Sequence, residues 1–322
     1  MKIFNEHKIY LILGFILCSF LFIHLIYNLP TSVDIFFSIF QLRLPRVIAV
    51  VSVAVVTSLS GLILQSYFKN DLAEPAVLGI SSSASLGACV SIVVANQFLP
   101  EYLEYISISF FAIAFSILSM FFLLFWGLKN NSLSDLLLIG IALNSFNGSV
   151  LTIVTSLINH VQLKSLLFWS MGSFATINLS LSIILGINAL IFIVVIYRWR
   201  KTFELLIFDS ENMYYYGINT KVLNLFVLLS VSVSIGITVS ICGITSFIGL
   251  IAPHIAKSLN TTSRKSLILS TPLIASCLLL FTDFLSKYLF YPVELPTSIF
   301  TAIFGVPIFL KIVNQKQQKF DS

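Results

Sequence analysis

Runs of apolar residues that contain no Asp, Glu, Lys or Arg recur along this chain. Each is close to the roughly 20 residues that a helix needs to cross the hydrocarbon core of a membrane. Polar and apolar positions do not alternate within the runs, as they do in the strands of membrane barrels. Because backbone groups in lipid must bond to one another, we predict that each run is a helix. The runs are 9–29, 47–66, 77–95, 105–126, 136–157, 178–197, 222–241, 266–282 and 296–310.

One uncharged stretch, from Val222 to Ala256, is too long for a single crossing. Its second half contains "SICGITSFIGLIAPHIAK", and we expect Gly236, Gly243, Gly249 and Pro253 to interrupt what would be a very long helix. We predict one full span, a turn at membrane depth and a short broken helix near 248–258. Irregular backbone at that depth survives only against protein or a water-filled cavity, so we expect the chain to line a pathway.

The composition agrees with a polytopic membrane protein. Hydrophobic residues make up 58 % of the chain and charged residues 10 %, whereas about 25 % of a typical soluble domain is charged. We therefore predict an all-α fold of about ten transmembrane helices that forms a single transmembrane domain over residues 1–322.

The basic residues predict the orientation, because Lys and Arg are in excess on the cytoplasmic side. With both termini cytoplasmic, fourteen of the 18 Lys and Arg residues lie inside. These are Lys2, Lys8, Lys69, Lys129, Arg198, Arg200, Lys201, Lys221, Lys257, Arg264, Lys265, Lys311, Lys316 and Lys319.

The remaining four basic residues, Arg43, Arg46, Lys164 and Lys287, are then predicted to lie outside. Arg43 and Arg46 directly precede the second span, and Lys287 follows the ninth. Such residues either extend to lipid phosphates or form a basic surface for an anionic ligand or an acidic partner. The residues themselves leave both interpretations open.

Residues that could support metal or enzyme chemistry are sparse. The four cysteines occur singly in apolar runs, and His254 has no second ligand at useful spacing. We expect neither a metal nor a cofactor. The phosphate-binding loop GxxxxGK[ST] is absent, as are the HExxH and GxSG motifs. We predict that the chain holds no nucleotide-binding domain and is not an enzyme.

Five segments, in order, resemble the signature segments of the permeases of iron–siderophore, haem and vitamin B12 ABC importers. They are "RLPRVIAVVSVAVVTSLSGLILQSYFKNDLAEPAVLGISSSASLGA" (43–88), "LLLIGIALNSF" (136–146), "FWSMGSF" (168–174), "GITSFIGLIAPHIAK" (243–257) and "ELPTSIFTAIFGVPIFLKIV" (294–313).

The resemblance implies a bacterial cytoplasmic (inner) membrane permease with several partners. These are a second permease subunit in a homodimer or heterodimer, ATPase subunits with Walker motifs inside, and an extracytoplasmic substrate-binding protein outside. Membrane lipid surrounds the chain, and nucleic acid is not expected. A ferric siderophore is the expected cargo, with haem or vitamin B12 as alternatives.

Particular residues take roles by the same resemblance. Arg43, Arg46 and Lys287 match positions that dock the binding protein. Glu211, Tyr216 and Gly217, in the loop 199–221, match positions that couple the permease to the ATPase. Ser132, Ser134 and Asn144 are candidates for the cytoplasmic gate or the pathway, although membrane helices more often use polar residues to pack together.

The structural motifs of the resemblance include the turn "KNDLAEPAVLGIS" (69–81), which matches an Asn-Pro-Leu-Ala-Glu-Pro turn. Asp71 stands where the family commonly has proline, whereas Asn70 and Pro75 match. The remaining motif positions are Gly249, Pro253, His254, Pro296, Gly305 and Pro307. We interpret His254 as a packing or capping residue.

Asp283 supports an alternative function, since carboxylates within membrane helices are functional candidates. A proton-coupled secondary transporter could use Asp283. A local pair with Lys287, one helical turn away, is the simpler expectation.

Overall fold

The computed structural model describes residues 2–27, 33–95, 100, 103–130, 133–157, 163, 166, 170–200, 220–259 and 264–320. Within these ranges the regular secondary structure is entirely helical, and ten helices are present. They are α1 (Lys2–Ile26), α2 (Val33–Tyr67), α3 (Ile80–Val90), α4 (Glu104–Asn130), α5 (Leu133–Leu157), α6 (Leu179–Arg198), α7 (Thr220–Cys242), α8 (Ile248–Ser258), α9 (Arg264–Tyr288) and α10 (Thr297–Phe320).

These elements confirm the predicted all-α fold. Six helices in the described ranges are long and apolar enough to cross a membrane, and three shorter apolar segments lie in α1, α3 and α10. The helix α3 continues as a π-helical turn over Ser91–Ala95. The eleven-residue α8 is the predicted short helix.

Two helices extend ten or more residues beyond their predicted bounds. The helix α2 begins at Val33 rather than near residue 47, because Arg43 and Arg46 find polar partners and need not leave the helix. The helix α10 continues to Phe320 rather than ending near 310. Its last turns are rich in Lys and Gln, which favour helix as well as apolar residues do. The end of an apolar run thus indicates where a helix can leave the membrane, and the helix itself can continue beyond that point.

The break between α7 and α8 has a clear backbone signature. Gly243 follows the end of α7 with φ of 72°, and Phe247 precedes α8 with φ of 67°. Glycine adopts this left-handed conformation at little cost, whereas a bulky residue such as phenylalanine rarely does. The predicted interruption at Gly243 is therefore confirmed, and the second reversal at Phe247 was not predicted. The interruptions expected at the other three positions were wrong, since Gly236 lies within α7 and Gly249 and Pro253 lie within α8.

The chain divides into two compact units. Unit 1 comprises Met1–Leu62, Ser173–Ile193 and Thr245–Ser322. Within it α9 packs against α1, α8 and α10. The backbones of α2 and α8 touch at two glycines, since a Cβ atom on Gly61 would lie 1.8 Å from the carbonyl oxygen of Gly249. Such small-residue contacts let membrane helices approach closely.

Unit 2 comprises Ile63–Gly172 and Val194–Ile244. Within it α3 packs against α4, α5 and α7. Glycines again permit the approach: a Cβ atom on Gly87 would lie 2.3 Å from the carbonyl oxygen of Phe111, and one on Gly236 would lie 2.4 Å from Ser116 Oγ.

Candidate functional site

Four ionisable side chains of unit 1 form a cluster, which we call the ion cluster: His24, Arg46, Asp283 and Glu294. Arg46 Nε donates to Asp283 Oδ2 at 2.9 Å, and Arg46 Nη2 donates to Asp283 Oδ1 at 3.0 Å. Arg46 Nη1 donates to both oxygens of Glu294, at 3.1 and 2.9 Å. One guanidinium therefore joins α2 to α9 and to the turn that follows α9.

His24 brings α1 into the same cluster. Its Nε2 atom lies 2.9 Å from Asp283 Oδ2, and its ring packs edge-on against Phe284. His24 and Asp283 are 2 % and 0 % exposed, and Arg46 is 7 % exposed. Buried charges of this kind need paired and hydrogen-bonded partners, which the cluster supplies.

The expected local pair between Asp283 and Lys287 is not formed. Both oxygens of Asp283 are bonded to Arg46, and the ammonium of Lys287 lies 5.3 Å from the ring centroid of Tyr288. The guanidinium offers two parallel donors to one carboxylate, which a single ammonium cannot match.

Arg43 has a different partner from Arg46. Its Nη1 atom donates to the carbonyl oxygens of Leu25 and Tyr27, at 3.2 and 2.6 Å, and the side chain is buried. These carbonyls belong to the C-terminal end of α1, where a positive charge is favourable. Arg43 thus caps α1 against α2.

The turn between α9 and α10 lies beside the ion cluster. Leu295 N donates to the carbonyl of Ser286 at 3.1 Å, and Ser286 Oγ donates back to the carbonyl of Leu295. Residues 289–293 protrude from this turn and are apolar and exposed. We call these five residues the exposed turn. Its most exposed member is Tyr291, at 81 %.

The structure thus places the three predicted docking residues at one end of unit 1. Arg43 and Arg46 are buried and hydrogen-bonded within the unit. Lys287 is half-buried, and its ammonium interacts electrostatically with the guanidinium groups of both arginines. Sequence reasoning missed His24 and Glu294, because neither has a spacing that links it to Arg46. The available signal was an arginine beside an apolar span, since such a side chain needs polar or ionised partners when it is buried.

Four polar side chains of α5, one of them the predicted pathway residue Asn144, are exposed among apolar ones. The four are Asn144, Ser145, Ser149 and Thr152, and only 11 % of an 18-residue apolar window within Asp135–Ser156 is buried. The hydroxyls of Ser145, Ser149 and Thr152 donate to carbonyls one turn earlier in the same helix, at 2.8 to 3.1 Å. The face therefore presents weak acceptor oxygens rather than charges.

Asn147 belongs to the opposite side of α5. Its Nδ2 atom donates to Ser83 Oγ at 2.6 Å and to Ser82 Oγ at 3.1 Å, which ties α5 to α3. The same region borders a groove of about 640 Å³ between α3, α4 and α5, where Phe122, Trp126 and other apolar side chains dominate the lining. Asn147 is thus a packing residue, whereas Asn144 stays a candidate for the pathway.

The turn 69–79, which has Asp71 where the family commonly has proline, contains hydrogen bonds made by Asn70. Asn70 Oδ1 accepts a hydrogen bond from Leu72 N at 2.9 Å, and the carbonyl of Asn70 accepts one from Ala73 N at 3.1 Å. An asparagine side chain that bonds two residues ahead forms an Asx turn. Asn70 and the buried Pro75 therefore hold the turn.

Glu74, in the same turn, gives a prediction about pH. Burial raises the pKa of Glu74 from its ordinary 4.5 to about 7. The unfolded chain then ionises at lower pH than the folded one, so Glu74 costs stability progressively from about pH 4.5 to 7 and fully above that. We expect Glu74→Gln to raise the melting temperature of the purified chain at pH 8 and to change it little at pH 5. Thermal unfolding in detergent at both pH values tests this, and a pH-independent difference would contradict it.

The other motif positions have packing contacts. Gly249 meets Gly61, and a Cβ atom on Gly305 would lie 2.5 Å from Ile251 Cδ1. His254 is buried with its ring centroid 6.2 Å from that of Phe309. Pro253 and Pro307 lie inside α8 and α10, and the carbonyl of Pro296 accepts a bond from Ile299 N in the first turn of α10.

Several predicted site residues lie outside the described residues: Ser132, Glu211, Tyr216 and Gly217. Ser134 is in the first turn of α5, with only its backbone described. Over the described part of the chain, no group of three His, Cys, Asp or Glu side chains is arranged to hold a metal ion.

The fold and the membrane helices define a class, the polytopic permeases of ABC transporters. The profile of the FecCD transport family matches residues 9–315, and the chain belongs to this family. The resemblance seen in the sequence is confirmed. The chain is therefore a permease subunit of an ABC importer, a membrane transport subunit whose family implies ATPase, binding-protein and second-permease partners.

Individual relatives agree with this assignment. The chain is 33 % identical to the hemin transport system permease protein HmuU of Yersinia pestis, over 87 % of this chain and 84 % of that protein. It is 30 % identical to the vitamin B12 import system permease protein BtuC of Pectobacterium atrosepticum, over 84 % of this chain and 81 % of that protein. A solved metal-chelate type ABC transporter in an inward-facing conformation superimposes with a TM-score of 0.85 at 27 % identity, covering 96 % of this chain and 99 % of the other.

Proposed function

We propose that this permease moves a ferric siderophore across the bacterial cytoplasmic membrane, with both of its termini on the cytoplasmic side. The observation that carries the choice of cargo is the exposed face of α5. Its polar members are Asn, Ser and Thr, and the Ser and Thr hydroxyls are bonded to their own helix. Such a face offers no thiolate or imidazole to an iron centre. It suits a chelate whose metal is already fully coordinated.

Haem is the second candidate, because a relative at 33 % identity is named a hemin permease. Vitamin B12 is the third, by the relatives of that name. The proton-coupled alternative finds no support, since the family is one of ABC importers and both oxygens of Asp283 are bonded to Arg46.

The proposed partners follow from the family and the predicted orientation. Two ATPase subunits bind the cytoplasmic side, where Glu211, Tyr216 and Gly217 couple nucleotide closure to the permease. A second permease subunit completes the pathway, with Asn144 facing it and Ser132 and Ser134 at its gate. A loaded binding protein docks outside on the surface that carries Arg43, Arg46 and Lys287.

Uptake by the reconstituted transporter tests the cargo. We would load proteoliposomes that contain the permease and its ATPase with ATP, add the binding protein outside, and supply ⁵⁵Fe-siderophore, haem or vitamin B12. We expect ATP-dependent accumulation of the ferric siderophore and at most slow uptake of the other two. Uptake of haem or vitamin B12 alone would contradict the siderophore assignment, and uptake driven by a proton gradient without ATP would contradict the ABC mechanism.

A further inference from the structure

The two carboxylates of the ion cluster hold Arg46 in unequal ways. Asp283 is fully buried and accepts from two different nitrogens of the guanidinium, Nε and Nη2. The side chain of Glu294 is 35 % exposed, and both of its oxygens share a single nitrogen, Nη1. One edge of Arg46 is therefore fixed inside unit 1, while its Nη1 atom is paired with the partly exposed Glu294.

The energies of the two pairs differ accordingly. Breaking a buried pair leaves an uncompensated charge without water and is costly. A partly exposed pair contributes little, because water replaces either partner at small cost. The bond between Glu294 and Nη1 is thus the one that an incoming carboxylate can replace, with Asp283 still holding the guanidinium in place.

The charges around Glu294 favour an acidic partner. Arg43, Arg46 and Lys287 supply three positive charges at this end of unit 1, and Asp283 and Glu294 supply two negative ones. The surface is net positive even with both carboxylates ionised. It becomes more positive when Glu294 moves away from Arg46.

The exposed turn extends the same surface with apolar area. Leu289, Phe290, Tyr291 and Val293 are each more than half exposed, and Val293 directly precedes Glu294. Aromatic residues and arginine are enriched at the centre of protein–protein interfaces. A partner that carries a carboxylate within an apolar patch fits both features.

We propose that Glu294 is an exchangeable internal ligand of Arg46, and that a carboxylate of the binding protein takes its place at Nη1 on docking. This inference rests on the proposed function and adds regulation to the docking site. Glu294 lowers the affinity of the free permease for its partner, so that the binding protein is released after delivery rather than retained. Asp283 and His24 position Arg46 and do not touch the partner.

The affinity of the full transporter for its binding protein tests this. We would place the permease with its ATPase in nanodiscs and measure Kd for the purified, ligand-loaded binding protein of the same system by interferometry, at 50 and 300 mM NaCl. Glu294→Gln should bind about fivefold more tightly at low salt, the factor that corresponds to one partly exposed ion pair. The gain should shrink at high salt, because salt screens exposed charges.

Matched variants separate the exchange from a change in folding or in net charge. Glu294→Asp keeps the charge and should change Kd less than Glu294→Gln does. In a Lys287→Gln background, which itself weakens binding, Glu294→Gln should still tighten binding by a similar factor, since it acts through Arg46. Melting temperatures of all variants should stay close to that of the wild type.

Each remaining outcome decides one point. An unchanged or weaker Kd for Glu294→Gln would overturn the exchange while leaving the proposed function standing. Absence of binding by the wild-type transporter would overturn the proposed function itself. Tyr291→Ala should weaken binding at least tenfold; an unchanged Kd would mean that the exposed turn faces lipid and would overturn its place in the interface.

Discussion

Replacing Asp283 by asparagine should destabilise the protein strongly. The substitution keeps the shape of the side chain but removes the charge that accepts from Nε and Nη2 of Arg46. Breaking a buried ion pair by removing one partner costs about 3–5 kcal/mol, because the other charge stays buried. We expect the melting temperature of the purified chain to fall by about 5 °C and the yield of folded protein to drop. Fluorescence-detected thermal unfolding in detergent measures both.

Two controls identify the cause. Glu294→Gln removes the half-exposed carboxylate of the same cluster and should leave the melting temperature nearly unchanged. A double variant, Arg46→Met with Asp283→Leu, replaces the pair by apolar side chains of similar volume and should recover most of the lost stability. If Asp283→Asn is as stable as the wild type, the pair between Arg46 and Asp283 is not the main attachment of α2 to α9.

Replacing Gly61 by alanine should separate α2 from α8. The added Cβ atom would lie 1.8 Å from the carbonyl oxygen of Gly249 and 2.5 Å from its carbonyl carbon. Both atoms belong to backbone, so no side-chain rotation relieves the overlap, and overpacking of this kind costs about 3 kcal/mol. We expect a lower melting temperature and loss of ATP-dependent uptake in proteoliposomes, since α8 no longer packs in its native position.

Gly14 supplies the matched control for this variant. It lies in α1 of the same unit, and a Cβ atom there would meet nothing within 4 Å. Gly14→Ala should leave uptake intact and, by favouring the helix, leave stability equal or slightly higher. Equal behaviour of the two alanine variants would show that the contact between Gly61 and Gly249 does not constrain the helices.

The helices were predictable because the requirement for apolar length is local. The apolar length of a run such as 136–157 is enough to predict that it crosses a membrane as a helix, whatever the rest of the chain contains. Gly243 and the charge-free length of 222–256 likewise predicted the break that separates α7 from α8. The same reasoning failed for the start of α2, because the burial of Arg43 and Arg46 depends on groups in other helices.

Within the candidate site, residue type showed which side chains are unusual but not which side chains they pair with. Arg43, Arg46, Lys287 and Asp283 were each recognised as unusual for their place in the chain. The pairing of Asp283 was predicted incorrectly, since the local choice of Lys287 lies one turn away and Arg46 lies 237 residues away. Asn144 and Asn147 have similar neighbours in the sequence, so the sequence did not show that Asn144 is exposed and Asn147 is buried. Packing of α5 against α3 makes that difference.

The sequence by itself determined an all-α membrane protein of about ten helices, because apolar runs are a property of the chain alone, and its ordered motifs carried the resemblance to the permeases of ABC importers. The tertiary structure decided which charges meet. Burial makes a charge require a partner, and the packing of α1, α2 and α9 brings His24, Arg46 and Asp283 within hydrogen-bonding distance. That packing also leaves Glu294 half-exposed beside them, where exchange with a partner's carboxylate can be tested.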